Sequence, residues 1–460
     1  MNGDYRSRIM PADVALAEVH SGQRIYIHNG CAEPVGLVKA LTRRGPELED
    51  VEVLHMATMG IADYILPEYE GHFRHNALFI GGNVRKAVQE GRADYTPIFL
   101  SEIEGLFTSG ALPIDVCLLQ CTPPDPYGYM SLGPSIDASL TAAQCARHVI
   151  AEINDQCPRT LGDTFLHVSR VDAFVETSHP LSAYPRLPAT EMHHAIGRHV
   201  AKLIPDGATI QTGIGGIPEA TLELLKDRKD LGIHSEMVPD SVIELIQAGV
   251  ITGERKTLHP RKVIAGFVLG SKVLFDFIAN NPMFEFHRTA YCNDPFLIAQ
   301  NERMVAINSA IEADLTGQVC SDSRGASPYS GIGGQVDFLR GAARSKGGMP
   351  IITLPSTARD GAVSRIVPTG RRSGDVARRC ALRDHRARYG IPAREDDPAT
   401  GGGDDRGGGS EVSGGVGRVR EGVPDAGGAE KRRGRVRQKV TAVTFSACIF
   451  FVFNTALQER

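Results

Sequence analysis

The fold class of this sequence is indicated most clearly by residues 208–218, Ala208-Thr209-Ile210-Gln211-Thr212-Gly213-Ile214-Gly215-Gly216-Ile217-Pro218. Residues 208–212 predict a buried strand, the glycines after them predict a tight turn, and residues 219–225 predict a helix. The same order returns around Gly331-Ile332-Gly333-Gly334. A strand that runs through a glycine turn into a helix is typical of α/β proteins, and two such turns indicate two places where the backbone approaches a ligand closely.

Outward from this stretch, short apolar runs alternate with helical patterns as far as residue 368. Runs at 23–27, 51–55, 114–120 and 148–153 predict further strands. Residues 178–188 have the composition of a linker, and an amphipathic helix is predicted at 191–203. We therefore expect two α/β domains, residues 1–185 and residues 186–370.

Composition excludes several function classes. The net charge of −4 gives no electrostatic footprint for nucleic acid. Nine cysteines without a C-x-x-C pair fit neither a disulfide framework nor a zinc ribbon, and the first residues show no secretory signal. The apolar run 443–453 is shorter than the roughly 20 residues that span a bilayer. We expect a cytoplasmic protein without a membrane anchor.

The composition changes beyond residue 370. Residues 371–440 contain 15 Arg and 15 Gly and show no apolar periodicity. This segment accounts for much of the glycine surplus of the chain, which has 50 glycines in 460 residues. We predict a disordered tail over 371–460, in which the apolar run 443–453 favours aggregation.

The first glycine turn allows several chemistries. Gly213-x-Gly215 after a strand is similar to a dinucleotide fingerprint, but Pro218 stands where the third glycine belongs. Helix N-terminal amides there could instead hold a phosphate or an oxyanion, or the turn could be structural only. Glu236, in Gly232-Ile233-His234-Ser235-Glu236-Met237, could attack a thioester, but by itself it is interpreted as a helix-entry or solvated residue. His234 without a partner is interpreted as structural.

Taken together, the motifs resemble the acetyl-CoA hydrolase/transferase family, most closely its 4-hydroxybutyrate and butyrate:acetate CoA-transferase branch. The resemblance extends over about residues 10 to 370 and rests, besides the stretches above, on Pro123-Pro124-Asp125, Gly162-Asp163-Thr164-Phe165, Asp314-Leu315, Gly331 to Phe338 and Leu354-Pro355-Ser356-Thr357-Ala358. It implies two related open α/β CoA-transferase domains, the second incomplete. Asp125, Asn154 and Asp163 are interpreted as turn caps.

The resemblance also implies a function. CoA would move from a short-chain acyl-CoA to a carboxylic acid such as acetate or 4-hydroxybutyrate, with Glu236 as the nucleophile and a glutamyl-CoA thioester as intermediate. CoA is then a substrate, and no metal, redox group or tightly bound cofactor is needed. The resemblance is compatible with a homodimer. The alternatives are an acyl-CoA hydrolase, an inactive CoA-binding protein and an NAD-dependent dehydrogenase.

The CoA site follows from the same resemblance. Its first loop consists of the backbone of Gly213, Ile214, Gly215, Gly216 and Ile217. The remaining residues implied to line the CoA site or shape its second loop are Ile311, Gly331, Gly333, Gly334 and Ser356.

The resemblance ends near residue 369. Residues 383–389 can be encoded CGT GAT CAC CGA GCA CGG TAT, and one base later this reads Val-Ile-Thr-Glu-His-Gly-Met, as in the family. Suitable codons restore family-like sequence over residues 370–397. We therefore expect a shifted reading frame after about residue 369, against a natural Arg/Gly tail as the alternative. The loss of the last strands would leave a sheet edge unpaired and the chain poorly soluble.

Overall fold

The structure is a computed structural model. It describes residues 5–368 except 185, 187, 316 and 360, together with the backbone of Gln438–Phe445 and Ile449–Ala456. The other predictions for the tail after residue 370 fall outside the described residues.

The first part of the chain alternates strands with helices, as the apolar runs predict. Its strands are β1 Arg24–Ile27, β2 Val51–His55, β3 Phe73–Ala77, β4 Ala93–Tyr95, β5 Val116–Cys121, β6 Tyr129–Ser131, β7 His148–Asn154, β8 Phe165–His167 and β9 Ala173–Thr177. Its helices are α1 Ala12–Ala15, α2 Val35–Arg43, α3 Arg85–Gln89, α4 Ile103–Thr108 and α5 Ser139–Cys145. Short 3₁₀ turns occupy Tyr5–Arg8, Leu16–Glu18, Gly45–Glu47, Asp63–Ile65, Pro67–Tyr69, Leu100–Glu102 and Val168–Arg170.

Seven of these strands form one parallel sheet in the order β4-β3-β2-β1-β5-β7-β9. The chain leaves β1 in one direction to build β2, β3 and β4, and then returns to the other side of β1 for β5. Such a reversal is a topological switch point, where ligands of open α/β sheets usually bind. Strands β6 and β8 form a separate antiparallel pair.

The second part begins with helix α6, Glu191–Leu203, whose bounds match the prediction. It continues with the helices α7 Gly216–Glu223, α8 Val242–Gln247, α9 Lys272–Ile278, α10 Thr289–Cys292, α11 Pro295–Ala299 and α12 Gln335–Arg344. Its strands are β10 Thr209–Thr212, β11 Gly232–His234, β12 Met237–Pro239, β13 Val263–Ala265, β14 Phe267–Leu269, β15 Phe284–Phe286, β16 Met304–Ser309, β17 Glu312–Asp314, β18 Val319–Cys320, β19 Ser323–Arg324, β20 Ser327–Pro328, β21 Met349–Pro355, β22 Thr357–Ala358, β23 Val363–Ser364 and β24 Ile366–Val367.

The second sheet repeats the design of the first. Its parallel strands follow the order β15-β13-β11-β10-β16-β21, so the switch point again lies beside the first strand, between β10 and β16. The same order of strands in both sheets confirms the prediction of two related α/β domains.

Two further strands, β25 Gln438–Phe445 and β26 Ile449–Ala456, extend the second sheet. Strand β26 pairs in parallel with β21, and β25 pairs antiparallel with β26. Within the described segments, the edge of β21 that was expected to be unpaired is therefore paired with β26. The physical reason is that an open edge offers unpaired backbone groups, and the apolar run 449–453 has the β-branched and aromatic residues that suit a strand.

The two parts of the chain pack against each other through a continuous apolar core that includes Leu119 and Phe174 from the first part and Ile233 and Phe286 from the second. Main-chain hydrogen bonds cross the boundary as well: the Ile136 amide donates to the Gly266 carbonyl at 2.9 Å. The two sheets are therefore held in a fixed arrangement. Among the described residues, no helix has the length and apolar character needed to cross a membrane.

Candidate active site

Several predicted site residues lie at one edge of the second sheet, directly after its strands. Strands β11, β10, β16 and β21 are neighbours and parallel, so their carboxyl ends lie side by side. Residues 213–217 follow β10, Glu236 follows β11 by two residues, Ile311 follows β16, and Ser356 follows β21. The structure therefore brings these residues, far apart in sequence, to the edge where the switch point lies.

The first glycine loop is open to solvent. The Gly213 amide donates to the Ile307 carbonyl at 3.3 Å, and the Ile214 side chain is 45% exposed. Gly215 has φ of 114°, a backbone conformation that favours glycine. Helix α7 begins directly after it, three residues earlier than predicted, because Pro218 is tolerated in a first helical turn. The loop and the helix start can present amides to an anionic group.

A cleft adjoins this loop. It is lined by residues from the loop and α7, from the segment after Glu236, from β14 and from the linker before α6: Tyr184, Arg186, Ile214, Gly215, Glu219, Met237, Pro239, Asp240 and Leu269. Within it, the Arg186 guanidinium pairs with the Glu219 carboxylate at 3.2 Å. The cleft shows that the first glycine loop borders free space rather than packed core.

Glu236 lies between β11 and β12 and is partly buried. Its Oε2 accepts a hydrogen bond from Asn293 Nδ2 at 2.9 Å, and the Gly334 amide also donates to the carboxylate. Burial raises the pKa of Glu236 to about 7, and the nearby Asp137 carboxylate adds to the rise, while the two donors oppose it. The carboxylate is thus held in place and is less hydrated than a surface glutamate.

Gly334 is required by this arrangement. A Cβ atom on Gly334 would fall on Glu236 Oε2 and on the Asn293 amide nitrogen. Its φ of −91° is accessible to any residue, so the requirement is steric and not conformational. Gly334 precedes α12, and its position directly beside Glu236 joins the second glycine loop to the candidate nucleophile.

The second glycine loop also contacts the first part of the chain. Cβ atoms on Gly331 and Gly333 would approach the Phe79 side chain to 2.9 and 3.2 Å, and Gly333 forms a backbone bridge with Phe99. The Ile332 amide donates to the Tyr95 hydroxyl at 3.2 Å. The candidate site therefore lies where the two parts of the molecule meet.

Ile311 and Ser356 are connected through Arg365. The Arg365 guanidinium donates to the Ile311 carbonyl at 3.2 Å, and its amide donates to the Ser356 carbonyl at 2.8 Å. Ser356 is buried, and Ile311 is partly buried. These two residues thus form a second group on the same sheet edge, on the β16 and β21 side of the first glycine loop.

Two residues beside Glu236 were not predicted as site residues from the sequence. Asn293, directly after α10, is fully buried, and its Oδ1 has no hydrogen-bond partner among the described residues. Asp337 is buried in α12, accepts hydrogen bonds from the Ser101 amide at 3.2 Å and hydroxyl at 3.0 Å, and has a pKa raised by burial to about 8. Asp337 falls inside the quoted 331–338 motif, whereas no motif marks Asn293.

His234 fits its structural interpretation. Its Nε2 bonds to the Cys292 carbonyl at 2.9 Å, and its Nδ1 lies 3.3 Å from the Asn301 amide nitrogen. Burial lowers the pKa of His234 to about 3, so the ring is neutral at physiological pH. It supports the helix that leads to Asn293.

Of the residues interpreted as turn caps, Asp125 and Asp163 lie in loops, and Asn154 ends β7. Asp125 Oδ1 accepts from the Tyr127 and Tyr129 amides, each at 2.9 Å, and Asn154 Oδ1 accepts from the Gln156 amide at 3.0 Å. Asp163 instead pairs with Arg288 Nε at 2.7 Å, which joins the first part to the segment before α10. Asp163 therefore differs from the expectation and holds the two parts together.

The chain matches two family models. Residues 1–183 match the acetyl-CoA hydrolase/transferase N-terminal domain, and residues 270–385 match the acetyl-CoA hydrolase/transferase C-terminal domain.

Similar proteins include named CoA-transferases. A 4-hydroxybutyrate coenzyme A transferase of Clostridium kluyveri is 50% identical over 79% of this chain and 85% of its own length. A succinyl-CoA:acetate/propanoyl-CoA:succinate CoA transferase of Fasciola hepatica is 46% identical over 82% of this chain and 79% of its own length. The crystal structure of a 4-hydroxybutyrate CoA-transferase from Porphyromonas gingivalis is 40% identical, with a TM-score of 0.70 over 80% of this chain and 86% of that one. These matches show that the chain belongs to the acetyl-CoA hydrolase/transferase family.

Proposed function

We propose that this protein is a CoA-transferase that moves CoA from a short-chain acyl-CoA to a carboxylic acid such as acetate or 4-hydroxybutyrate. The names of its relatives support transfer between acyl-CoA and carboxylate substrates. The observation that carries the proposal is the Glu236 carboxylate, which is partly buried beside the second glycine loop and held by Asn293 and Gly334.

In the proposed reaction, a Glu236 oxygen attacks the carbonyl carbon of the acyl-CoA. The carbon–sulfur bond breaks, CoA leaves as a thiolate, and an acyl-glutamyl anhydride remains. The thiolate then attacks the glutamyl carbonyl carbon, which releases the first carboxylate and leaves a glutamyl-CoA thioester. The acceptor carboxylate repeats the two steps in reverse, so Glu236 is regenerated and the acceptor departs as its CoA thioester.

The surroundings of Glu236 suit this chemistry because a carboxylate is a weak nucleophile that depends on position and on nearby donors. The Asn293 amide and the Gly334 N–H orient the carboxylate. In the proposal, the amides of residues 213–217 bind CoA and the developing oxyanion, and Ile311, Gly331, Gly333, Gly334 and Ser356 line the CoA site. Partial burial limits hydration of the carboxylate and so favours attack on the thioester.

A hydrolase is the second candidate, since water could intercept the anhydride or the thioester. The two functions differ in their need for an acceptor. With acetyl-CoA and no added acid, a transferase turns over no further than the enzyme thioester, whereas a hydrolase releases free CoA continuously. Labelled acetate in exchange with the acetyl group of acetyl-CoA, together with strict acceptor dependence, would favour the transferase.

The intermediate can be tested directly. The protein is incubated with acetyl-CoA, digested, and analysed by mass spectrometry for a CoA mass increment on the Glu236 peptide. Glu236→Gln is the matched control, since it keeps the shape of the side chain and cannot form the thioester. If the wild-type peptide lacks the adduct while CoA still binds, the protein is an inactive CoA-binding member of the family instead.

We also propose that the reading frame is shifted after about residue 369. The support is that chosen codons for residues 370–397, when read one base later, give family-like sequence. Resequencing of the gene, with mass spectrometry of tail peptides from the native protein, tests this. An uninterrupted frame with the tail peptides present would contradict a sequencing error and would favour a natural Arg/Gly tail.

A further inference from the structure

A group of metal-binding side chains lies at the outer edge of the second sheet. Glu285 belongs to the edge strand β15, His287 follows that strand by one residue, and His259 lies in the loop before β13. One ligand atom from each of the three side chains lies within 4.8 Å of the other two. None of the three takes part in the transfer reaction proposed above.

The distances match the spacing of ligands around an ion. Glu285 Oε2 lies 3.0 Å from His259 Nδ1 and 3.7 Å from His287 Nε2. Zinc binds nitrogen and carboxylate oxygen at about 2.0–2.2 Å with tetrahedral geometry, which places neighbouring ligand atoms roughly 3.3 Å apart. An ion can therefore enter between these atoms with small side-chain movements.

The contacts of His259 and Glu285 with Tyr291 and Lys262 use their other polar atoms, so the ligand atoms face one another. His259 Nε2 lies 2.6 Å from the Tyr291 hydroxyl, so its Nδ1 faces Glu285. The Lys262 ammonium lies 3.4 Å from Glu285 Oε1, so Oε2 is the oxygen that faces both imidazoles. A partner on the second ring nitrogen of a ligating histidine is the usual arrangement in metal sites.

A simple ion pair explains only part of this group. Glu285 and His259 are close enough for a hydrogen bond at 3.0 Å. His287 Nε2, however, is buried and has no hydrogen-bond partner among the described residues. An imidazole nitrogen buried without a partner carries a cost, which an ion at this position would remove.

We propose that His259, Glu285 and His287 bind one divalent transition metal ion of the zinc type. Two imidazoles and one carboxylate are a ligand set that zinc accepts, and the partial exposure of all three side chains leaves a fourth position for water. The ion would join the 259 loop, the sheet edge and the start of α10. It has no part in the transfer reaction, for which no metal is expected.

The test is a titration of the chelator-treated full chain with zinc chloride, followed by calorimetry and thermal unfolding. We expect one ion per chain and a rise in Tm with zinc. His259→Ala and His287→Ala should each weaken binding at least about tenfold and remove most of the Tm rise, and Tyr291→Phe should weaken binding by about tenfold. His20→Ala, which removes an exposed histidine elsewhere, is the matched control and should bind as the wild type does.

A second measurement protects the test against misfolded variants. Cobalt added to the metal-free wild type should give visible absorption bands of a tetrahedral nitrogen and oxygen site, and Glu285→Gln, which keeps the side-chain shape, should lose them. The proposal is overturned if cobalt shows thiolate bands, if zinc leaves the wild-type Tm unchanged, or if zinc binding is the same in His259→Ala and His287→Ala.

Discussion

The two sheets share one order of strands, yet their carboxyl edges differ at the switch point. In the first sheet, His28 Nε2 bonds to the Ser135 carbonyl at 2.7 Å, and Asn29 Nδ2 donates to Asp137 at 2.9 Å. These groups are buried, and the protein itself supplies their partners. In the second sheet, the loop after β10 is exposed and borders a cleft, and the Glu236 carboxylate accepts hydrogen bonds from Asn293 and Gly334.

This contrast shows that the order of strands indicates where a site can form. Whether a site forms there depends on the polar groups at that place. The first edge is closed by its own hydrogen bonds. It still affects the second, because the Asp137 carboxylate contributes to the raised pKa of Glu236. We therefore interpret the first edge as a support for the chemistry at the second.

The largest expected effect is a loss of transfer activity when a residue of the second edge is changed, compared with a loss of stability when a residue of the first edge is changed. Glu236→Gln removes the nucleophile but keeps the shape, so transfer activity should fall at least about 10⁴-fold with little change in Tm. Asn29→Ala removes the side chain that donates to Asp137 and accepts from the Met56 amide. It should lower stability by about 1–3 kcal/mol for each group left unpaired.

Activity assays per folded protein and thermal unfolding check both variants. For Asn29→Ala, we expect the activity of the folded fraction to stay within about tenfold of wild type, since the side chain contacts no substrate in the proposal. Glu236→Gln with near-normal transfer would show that the nucleophile is a different group. An inactive but stable Asn29→Ala would show that the two edges are not separable in this way.

The next effect compares two glycines of one segment. Gly334→Ala places a methyl group on the Glu236 carboxylate, and a displacement of about 1 Å can cost about 100-fold in rate. Gly341→Ala, in α12, places its methyl group on the Ile298 side chain. Overpacking there should cost about 1–3 kcal/mol of stability.

The two glycine variants should therefore show opposite patterns. Gly334→Ala should lose kcat and keep its Tm, and Gly341→Ala should lose Tm and keep kcat. Steady-state kinetics and unfolding curves distinguish them. Equal loss of kcat in both variants would indicate that movement of α12 as a whole, and not contact with Glu236, reduces the rate.

Much of this edge could be predicted from the sequence, because consecutive strand, glycine turn and helix patterns place residues at the carboxyl ends of strands. The position of residues 213–217 after a strand follows from such local patterns, whereas the role of Glu236 is implied by the family resemblance. The donor Asn293 could not be predicted in this way. It follows a helix of only four residues, and its role depends on contact with Glu236, 57 residues earlier.

Contacts between the two parts of the chain were hidden for the same reason. Ser101 meets Asp337 across 236 residues, and Phe79 meets the second glycine loop. No periodicity carries information about such separations. The composition of the tail likewise describes a long segment as a whole. It predicts disorder there and does not identify the short apolar run that pairs with the edge of β21.

A moderate effect tests the electrostatic link between the edges. The pKa of Glu236 is raised to about 7, and the reaction needs the ionised carboxylate. The value of kcat/KM should therefore fall as pH falls below about 7, by about tenfold per pH unit. Because the Asp137 charge contributes to the raised pKa, Asp137→Asn should move this decline to lower pH. A pH–rate profile that is flat between pH 5 and 8 would contradict the assignment.

The smallest effect concerns Asp337, whose partner Ser101 belongs to the first part of the chain. Burial raises the pKa of Asp337 to about 8, so the folded protein holds this proton more tightly than the unfolded chain does. The stability that this carboxyl contributes is present at low pH and is lost as pH rises from about 4 through 8. Asp337→Asn cannot ionise and still offers an oxygen to the Ser101 amide. The amount by which its Tm exceeds that of wild type should therefore grow from pH 5 to pH 9, by roughly 2–4 °C for each kcal/mol that the wild type loses over that range.

Thermal unfolding at pH 5, 7 and 9 measures this gap, and Ser101→Ala is the matched control. The Ser101 hydroxyl stabilises the ionised Asp337, so its removal should widen the loss of stability at high pH, opposite in sign to Asp337→Asn. If each variant changes Tm by the same amount at pH 5, 7 and 9, Asp337 is already ionised in the folded protein. The Ser101–Asp337 contact between the two parts of the chain would then be a hydrogen bond without a raised pKa. Only the effect of Asp137 on Glu236 would remain as an electrostatic link between the two parts.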